Sequence, residues 1–452
     1  MQANSKPLAL VVLAAGAGTR MMSDLPKPLH PLGCAPLLAH ALASAAPLEP
    51  SRIIVVTGHG ADQVEAALED IVPEAVAVRQ AEQLGTGHAV LQAADALEGF
   101  EGDAVVLYAD TPFIRPETLD SMRAARASHD IVMLGFEAAD PTGYGRLVMD
   151  GDRLMRIVEH KDASDDIRKI SLCNSGLLCA DAGVLMDTLR KVGNDNANGE
   201  YYLTDVPEIA SADGKSATVV VCDEMETLGI NSRTELAQAE ANFQALRRAE
   251  MLENGVTMQA PDTVFFALDT YVGRDADIEP NVYFGADVTV ESGARIRAFS
   301  HLEGCHVSAG AIVGPYARLR PGTEVGNNAK IGNFVEVKTA EIGEGAMVNH
   351  LSYVGDASVG ARANIGAGTV TCNYDGVMKH RTEIGEDAFI GSDSMLVAPV
   401  KIGAKAMTAS GSVVTEDVPD GALALGRAKQ VNKPGLAVKL MDRLRAIKAK
   451  RG

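Results

Sequence analysis

The stretch LAAGAGTRMMSDLPK, from Leu13 to Lys27, decides the fold of the first half of the chain. It follows the apolar run LALVVL, which predicts a buried parallel strand, and it opens a glycine-rich turn that carries two cations, Arg20 and Lys27. Because Gly16 and Gly18 lack a Cβ, the backbone can bend sharply there and present several N–H groups to phosphate oxygens. The stretch therefore predicts a strand that leads into a polyphosphate site.

Two other phosphate-binding motifs do not fit this turn. A dinucleotide fingerprint GxGxxG that begins at Gly16 would need glycine where Met21 stands. A Walker A loop would need GK followed by Ser or Thr after its second glycine, where this chain has GTR. A glycine-rich turn that binds no ligand remains the alternative for this stretch alone.

Length, charge and cysteine usage bound the class of protein. A chain of 452 residues is too long for one typical domain, so we expect at least two cores. The net charge of −19 argues against nucleic-acid binding but leaves room for phosphorylated small molecules where cations cluster. No apolar run is long enough to span a bilayer, and the six cysteines show neither a CxxC pair nor zinc spacing. We expect a soluble cytoplasmic protein with reduced thiols and no membrane partner.

The first half alternates apolar runs with helical patterns, which predicts an α/β domain with a mainly parallel sheet. The predicted strands are LALVVLAA, RIIVVTG, AVAVRQ, DAVVLYAD and DIVMLGFEA, and a hairpin is expected at the turn 150–152. Ligands of such sheets bind at the carboxyl ends of the strands, where Gln80 and Asp110 fall. Asp110 suits either Mg²⁺ or a helix cap, and the GTG of 85–87 suits either a ligand or a plain helix start.

The second half is a repeat with an aliphatic residue at every sixth position, often followed by glycine. This is the hexapeptide pattern of a parallel β-helix, in which each flat side points one aliphatic side chain inward. The repeat positions are Val272, Ile278, Phe284, Val290, Ile296, Leu302, Val313, Leu319, Val325, Ile331, Val337, Ile342, Val348, Val354, Ile384, Ile390, Leu396 and Ile402.

Three segments of the second half interrupt or flank this repeat. GAGTVTCNYDGVMKHRTE, after Ile365, predicts a loop that leaves the coil, either as a surface insertion or as a cover over a ligand. An amphipathic helix with Leu236, Ala239, Phe243 and Leu246 on one face is expected to join the halves and to end at 254–255. The basic tail predicts a solvated helix, with a reach toward a neighbouring subunit or an acidic cofactor as the alternative.

The first half resembles the sugar-phosphate nucleotidylyltransferases, through LAAGAGTRM and SDLPK, and within them the bacterial N-acetylglucosamine-1-phosphate uridyltransferases, through QAEQLGTGHA. The resemblance implies a Rossmann-like domain, UTP as a substrate, Arg20 and Lys27 as catalytic cations, and Mg²⁺ held by Asp110 and Asn231. Family members often have YGD where this chain has YAD. The nucleotide and sugar contacts implied are Leu13, Ala14, Ala15, Gly16, Lys27, Gln80, Gly85, Thr86, Tyr108, Ala109, Asp110, Gly145, Glu159, Asn174 and Asn231.

The second half resembles the acetyltransferase half of the bifunctional bacterial enzyme, through GPYARLRPG, NHLSYVGD and NIGAGTVTCNYDG. The resemblance implies a left-handed coil, a homotrimer, and His350 as the base that deprotonates the amino sugar, although a lone histidine is more often structural. The glucosamine 1-phosphate contacts implied are Arg320, Lys338, Tyr353 and Asn364. The acetyl-CoA contacts implied are Ala367, Asn373, Tyr374, Ser392, Ser410 and Arg427, of which Ser410 is often alanine in the family.

Together these features predict a bifunctional enzyme that acetylates glucosamine 1-phosphate and then transfers UMP to the product, giving UDP-N-acetylglucosamine. One alternative is a single nucleotidylyltransferase whose β-helix serves oligomerisation or effector binding, and His350 with Lys338 argues against it. The other is a non-enzymatic scaffold, against which Arg20, Lys27 and Asp110 argue. The predicted domains are 1–234 for uridylyl transfer, 235–254 as a linker helix, 255–427 for acetyl transfer and 428–452 as the basic tail.

Overall fold

The computed structural model describes residues 6–196 and 198–450. The chain divides into two compact units between Arg247 and Arg248, and each unit has its own hydrophobic core. The division falls inside a helix, Arg233–Glu253, in the segment for which the sequence predicts a linker helix.

The first unit is built on a nine-stranded mixed sheet. Its strands are β1 (Leu8–Ala14), β2 (Arg52–Thr57), β3 (Val76–Arg79), β4 (Asp103–Tyr108), β5 (Ile131–Glu137), β6 (Arg146–Asp150), β7 (Arg153–Val158), β8 (Leu172–Asp181) and β9 (Ala217–Cys222). The order is β9-β5-β8-β4-β1-β2-β3, with β8 antiparallel to its neighbours and the other pairs of this path parallel. The five predicted strands and the β6–β7 hairpin are therefore confirmed, whereas β8 and β9 were not predicted.

Strand β1 lies in the middle of this sheet and is buried along its whole length. Its alternate residues enter two different cores: Leu8, Leu10 and Val12 pack on one side of the sheet. Ala9 and Val11 pack on the other. Successive side chains of a strand point to opposite faces, so a strand covered on both sides has to be apolar throughout.

The α-helices are α1 (Leu37–Ala45), α2 (Ala61–Ile71), α3 (Thr86–Leu91), α4 (Pro116–Arg126), α5 (Asp165–Arg168), α6 (Ala182–Leu189), α7 (Val206–Ala212), α8 (Arg233–Glu253) and α9 (Leu436–Ala449). Helices α1 to α7 belong to the first unit, α8 contains the division between the units, and α9 belongs to the second unit. Helix α8 buries Ala239 and Phe243 as predicted, but Leu246 is 49% exposed, which corrects its assignment to the buried face. The helix stops where predicted, at Gly255, whose φ of +85° a side chain would disfavour.

The second unit is a parallel β-helix with three flat sides, as the six-residue period predicts. Register partners such as Ile278 with Ile296 and Ile296 with Val313 lie 18 and 17 residues apart, the length of one coil. Every repeat position predicted to point inward is buried, with at most 4% of its surface exposed. The handedness of the coil stays a prediction from the family resemblance.

The strands of the β-helix stack in register on each side. The first side contains Tyr271–Val272, Val288–Val290, Cys305–Val307, Thr323–Val325, Thr382–Ile384 and Val400–Ile402. The second contains Thr257–Met258, Asp277–Ile278, Arg295–Ile296, Ile312–Val313, Lys330–Asn333, Met347–His350, Asn364–Ile365, Phe389–Ile390, Met407–Thr408 and Leu423–Ala424. The third contains Tyr283–Phe284, His301–Leu302, Arg318–Leu319, Val370–Cys372, Met395–Val397 and Val413–Val414. Two long strands, Glu336–Ile342 and Tyr353–Val359, turn a corner and belong to both the third and the first side.

The predicted loop is shorter than the sequence suggested. Strand Val370–Cys372 stays in the coil and pairs with Met395–Val397, because the buried Thr371 takes the place of an aliphatic residue. The chain leaves the coil only at residues 373–381, where Tyr374 and Lys379 pair as an antiparallel bridge. The excursion is therefore a small hairpin at one corner.

The remaining sequence predictions concern exposure and cysteines. The basic tail forms helix α9, as predicted, and the helix is exposed along its length in one chain. Its contact with solvent or with a neighbouring subunit stays a prediction. Within 6–196 and 198–450, no helix combines the length and apolarity needed to cross a bilayer. None of the six cysteines forms a disulfide, and Cys173, Cys179 and Cys305 are buried.

Candidate functional site

A cavity of about 380 Å³ opens in the first unit at the carboxyl ends of β1 and β4. It brings together most of the predicted nucleotide contacts: Leu13, Ala14, Ala15, Gly16, Lys27, Gln80, Gly85, Thr86, Tyr108, Ala109 and Asp110. Gln83 and Glu200 also line it and were not predicted. Glycine-rich loops and a strand-end carboxylate were visible in the sequence. Glu200 belongs to the stretch NANGEYYLTD, which matches the family near the sugar pocket, but the sequence did not single out its side chain.

The glycine-rich turn leaves several backbone donors available. In the described part of the chain, the N–H groups of residues 16–20 donate no hydrogen bond to a backbone carbonyl. The carbonyl of Ala15 points the other way, because it accepts from the N–H of His59 at 3.2 Å and from Gln83 Nε2 at 2.9 Å. A peptide unit is planar, so fixing this carbonyl also fixes the direction of the Gly16 N–H that follows it. Such a run of unpaired N–H groups suits an anion.

Lys27 joins this turn to the metal ligands predicted from the family. Its ammonium donates to Asn231 Oδ1 at 3.0 Å and to the carboxylate of Asp110. Two acceptor oxygens therefore converge on one cation. The N–H of Ile230 donates to the carbonyl of Asp110 at 3.0 Å, which holds Asn231 beside the strand end. Asn231 does not line the cavity itself.

Arg20 lies apart from this group. It is exposed in the short turn Thr19–Met21 and does not line the cavity. Arg233, at the start of α8, donates from Nε to the carbonyl of Met21 at 3.1 Å and so supports the turn. The sequence did not single out Arg233, since its role depends on a contact between distant segments.

The opposite end of the cavity contains Gln80, Gly85 and Thr86. Gly85 has a φ of +106°, and a Cβ there would come within 2.6 Å of the carbonyl oxygen of Tyr201. That carbonyl accepts from the N–H of Gly87 at 2.8 Å, and the Thr86 hydroxyl accepts from the N–H of Leu203. Only glycine allows this close approach, which holds the segment with Glu200 against the cavity.

The three predicted sugar contacts form a separate cluster that does not line the cavity. The N–H of Asn174 donates to the carbonyl of Gly145 at 2.9 Å, and a Cβ on Gly145 would lie 3.3 Å from Glu159 Oε1. Burial raises the pKa of the Glu159 carboxyl, and the nearby Asp162 raises it further. Burial also raises the pKa of the Tyr108 hydroxyl, which lies between this cluster and Asp110.

In the second unit, His350 Nδ1 lies 2.8 Å from Asn333 Oδ1 on the preceding coil. An amide oxygen can only accept, so the ring proton sits on Nδ1 and the lone pair of Nε2 remains available. His350 is exposed. The imidazole is thus held in the tautomer that a general base requires, and Asn333 is a contact that the sequence did not reveal.

His350 ends the second flat side at its corner with the third, and cations gather at the far edge of the third side. Lys338 is in register with Gly355, five residues beyond His350 along the coil. The side chain of Lys379, carried by the hairpin, contacts Lys338 and lowers its pKa, with smaller effects of burial and of Arg320. Arg320 itself donates to Glu336 at 2.9 Å. Like charges in contact favour an anion between them, and Lys379 was missed because the sequence left the loop without a fixed position.

The hairpin also brings Asn373 and Tyr374 to this edge. Asn373 is buried, donates to the carboxylate of Asp356 and lies 3.5 Å from the hydroxyl of Tyr353. The hydroxyl of Tyr374 donates to the carbonyl of Gly376 at 2.6 Å.

The remaining predicted acetyl-CoA contacts follow the corner that carries His350. The carbonyls of successive coils accept there from the next coil: His350 from the N–H of Gly368, Ala367 from Asp393 at 2.7 Å, and Ser392 from Gly411 at 2.7 Å. Arg427 Nη1 then donates to the carbonyl of Ser410 at 2.7 Å. Asn364 belongs to the second flat side and not to the cationic edge. Apart from Asn364, one chain therefore presents the predicted contacts in two groups at opposite edges of the third flat side.

No cluster of three or more histidine, cysteine or acidic side chains suited to a metal occurs within the described ranges.

Family models match both units. The MobA-like NTP transferase domain matches residues 10–170. The bacterial transferase hexapeptide (six repeats) matches residues 304–339, and the hexapeptide repeat of succinyl-transferase matches residues 381–416. A solved structure of UDP-glucose pyrophosphorylase complexed with UDP-glucose is 21% identical and covers 53% of this chain and 100% of its own, with a TM-score of 0.45, too low to support an argument.

Relatives of known name match nearly the whole chain. Bifunctional protein GlmU of Jannaschia sp. (strain CCS1) is 75% identical over 448 residues, which cover 99% of both chains. The proteins of the same name from Paracoccus denitrificans (strain Pd 1222) and Ruegeria sp. (strain TM1040) are 64% and 65% identical, cover 98% of this chain, and are themselves covered to 99% and 98%. The chain belongs to the family of bifunctional GlmU proteins, and it is an enzyme of both uridylyl and acetyl transfer.

Proposed function

We propose that the chain makes UDP-N-acetylglucosamine in two steps, each in its own unit. The second unit, over 255–427, acetylates glucosamine 1-phosphate, and the first, over 1–234, transfers UMP from UTP to the product. Two different side-chain arrangements support this proposal. In the first unit, the Lys27 ammonium lies between two oxygens, beside backbone N–H groups that are not used in the fold of the described chain. In the second unit, Asn333 fixes the tautomer of His350.

In the uridylyl step, a phosphate oxygen of N-acetylglucosamine 1-phosphate attacks the α-phosphorus of UTP. The bond from that phosphorus to the bridging oxygen breaks, and pyrophosphate leaves with the bonding electrons. Both reactants are anions, so the chain contributes mainly positive charge and alignment. Lys27, Arg20 and the N–H groups of residues 16–20 offset phosphate charge, and Gln80, Gly85 and Thr86 hold the base. Gly145, Glu159 and Asn174 hold the acetylated sugar.

The oxygen donors around Lys27 also fit Mg²⁺. Asp110 and Asn231 offer a carboxylate and an amide oxygen, the hard ligands that Mg²⁺ takes, and both already point at one cation. Bound there together with phosphate oxygens of UTP, the metal would neutralise charge on the transferring group. Lys27 is then free to turn from these oxygens to the phosphates.

In the acetyl step, the amino nitrogen of glucosamine 1-phosphate attacks the thioester carbonyl of acetyl-CoA. His350 Nε2 removes a proton from that nitrogen, since a protonated amine has no lone pair for attack. The carbon–sulfur bond then breaks, and the thiolate of CoA leaves and takes up a proton. Arg320, Lys338, Tyr353 and Asn364 bind the sugar phosphate in this proposal. Ala367, Asn373, Tyr374, Ser392, Ser410 and Arg427 bind acetyl-CoA.

We propose a homotrimer as the active form. In one copy the cationic edge and His350 lie apart, and a neighbouring copy can bring its own edge beside the other. The cationic edge near Lys338 and the edge with His350 lie at opposite edges of the third flat side. The cationic edge of one copy can therefore lie against the His350 edge of the next. Four apolar side chains stand exposed along the His350 corner: Phe299, Tyr316, Phe334 and Leu351. The first three rings stack at 4.9 and 5.2 Å, which gives a continuous apolar surface for a neighbouring copy.

The two half-reactions can be followed separately in one incubation. The protein is mixed with glucosamine 1-phosphate, acetyl-CoA, UTP and Mg²⁺, and the CoA thiol and pyrophosphate are measured. We expect the thiol to appear first and pyrophosphate to require it. Pyrophosphate release without acetyl-CoA at the same rate would contradict the order, and absence of the thiol would restrict the enzyme to uridylyl transfer.

A further inference from the structure

The base end of the cavity contains a hydrogen-bond relay that the roles assigned above do not use. Gln80 Nε2 lies 3.2 Å from the carbonyl oxygen of Gly85 and 3.0 Å from His88 Nδ1. His88 Nε2 lies 3.1 Å from the carboxamide of Gln92, one turn further along α3. Gln80 is buried, with 5% of its surface exposed, and it lines the cavity.

The chemistry of these groups fixes which way the Gln80 carboxamide points. The carbonyl of Gly85 can only accept, so it must face the NH₂ group of Gln80 and not its oxygen. The second hydrogen of that NH₂ group is directed at His88 Nδ1, which accepts it when the imidazole is neutral and carries its proton on Nε2. Both hydrogens are then used, and Gln80 Oε1 is the atom left for a ligand.

We propose that His88 is a positioning residue that sets base specificity by fixing the Gln80 carboxamide. The inference rests on the proposed function of this cavity. His88 touches no substrate in this proposal; it acts through Gln80.

The resulting pair of groups matches one kind of base edge. Gln80 Oε1 is an acceptor, and the N–H of Gly85 donates to no backbone carbonyl in residues 6–196 and 198–450. Uracil presents an N3–H donor flanked by carbonyl oxygens and pairs with both groups. Cytosine has a lone pair at N3, which would face the Gln80 oxygen without a proton between them. A site built to pair with a donor rejects a base that lacks it, because its own polar group is left unpaired.

Gln92 contacts the other side of the ring and competes with Gln80. Gln92 Nε2 donates to the backbone carbonyl of His88 at 3.1 Å, so its NH₂ group also faces His88 Nε2 at 3.1 Å. A neutral imidazole has one acceptor nitrogen and accepts from only one of the two carboxamides. Gln80 is buried, whereas Gln92 is half-buried and can turn its hydrogen to water, which leaves Nδ1 as the acceptor for Gln80.

The test compares kcat/KM for pyrophosphate release from UTP and from CTP, with N-acetylglucosamine 1-phosphate as acceptor. His88→Leu removes the acceptor and should lower the UTP/CTP ratio about tenfold, the effect expected for one hydrogen bond. His88→Asn places an oxygen near the position of Nδ1 and should keep the ratio within about threefold of wild type. Gln92→Met removes the competing donor and should keep the ratio at or above that of wild type.

Uridylyl transfer from UTP serves as the folding control for the first unit, and acetyl transfer by the same chain checks the protein concentration, since its residues belong to the other unit. An unchanged ratio in His88→Leu would overturn the inference, and so would a fall of the ratio in Gln92→Met. An equal fall in His88→Leu and His88→Asn would also overturn it, because the ring would then act by packing. If His88→Leu fails to fold, Gln92→Met and His88→Asn decide the matter. A wild-type protein that releases no pyrophosphate from UTP would instead contradict the proposed function.

Discussion

The side chain of Lys27 bridges to Asn231, with 3.0 Å between the ammonium nitrogen and the amide oxygen, and the same ammonium donates to Asp110. These residues come from the glycine-rich turn, the end of β4 and the segment before α8. In this structure the ammonium stands where the two oxygens that we propose as Mg²⁺ ligands converge. The proposed uridylyl site therefore allows Mg²⁺ to replace the Lys27 ammonium between these oxygens.

Removal of this cation should abolish the first unit's activity and spare the second. Lys27→Ala leaves Asp110 and Asn231 without their partner and the UTP phosphates without a counter-charge, so we expect a loss of uridylyl transfer of at least about a hundredfold. Measurement of pyrophosphate release and CoA thiol on the same sample checks this. Lys330→Ala, an exposed lysine of the β-helix, is the matched control. Near wild-type pyrophosphate release by Lys27→Ala would refute the role of the cation.

Asn333 should control the acetyl step through the tautomer of His350. Asn333→Ala removes the acceptor at 2.8 Å from Nδ1, and we expect kcat for acetyl transfer to fall about tenfold with little change in KM. Asn333→Asp retains an acceptor, and its negative charge should favour protonated His350 and move the acid limb of the pH–rate profile to higher pH. A profile in Asn333→Asp that matches wild type would show that the two side chains are not coupled.

Lys379 should bind the phosphate of the amino sugar together with Lys338. Lys379 lowers the pKa of Lys338, so Lys379→Met should raise that pKa and weaken binding of the anion. We expect KM for glucosamine 1-phosphate to rise about tenfold, as for the loss of one charge-assisted hydrogen bond, with KM for acetyl-CoA nearly unchanged. Lys401→Met, on the first flat side, is a control with the same change of charge. Equal effects of the two substitutions would mean that only net charge matters.

Glu159 should make the free protein less stable as the pH rises. Its pKa is raised by burial, so the folded state binds this proton more tightly than the unfolded state does. The stability this contributes is present below the unfolded pKa near 4.5 and is lost as the pH rises through the higher folded pKa. Glu159→Gln should therefore raise Tm relative to wild type at pH 7.5, and the difference should shrink toward pH 4. A difference in Tm that does not vary with pH would contradict this account.

Sequence patterns predict the structure best where buried residues recur at a fixed spacing. Val313 and Ile331 could be assigned inward because a coil of 17 or 18 residues returns each sixth residue to the interior. Thr371 broke that pattern and misled the prediction of the loop, since a buried hydroxyl is accommodated by hydrogen bonds that the period does not show; its Oγ1 lies 3.0 Å from the carbonyl of Gly355. Strand β8 was missed because LCNSGLLCAD mixes polar residues and glycine into a buried strand.

The candidate sites follow the same division. Motifs at strand ends were sufficient to identify Gly16, Lys27 and Asp110 from the sequence. Other residues act by positioning a second group and depend on contacts between distant segments. Asn333 positions the side chain of His350, and Gln83 positions the backbone carbonyl of Ala15. The exposed Leu246 shows the opposite error, in which helical spacing alone suggested burial.

The central claim, that two independent sites share one chain, is tested most directly by complementation. Lys27→Ala and His350→Ala are each incubated with glucosamine 1-phosphate, acetyl-CoA, UTP and Mg²⁺, and then the two proteins are mixed. Each alone should form no UDP-N-acetylglucosamine, while Lys27→Ala still releases CoA thiol and His350→Ala still releases pyrophosphate from UTP when N-acetylglucosamine 1-phosphate is supplied. The mixture should form the product. Failure of the mixture, with both separate activities intact, would contradict the claim.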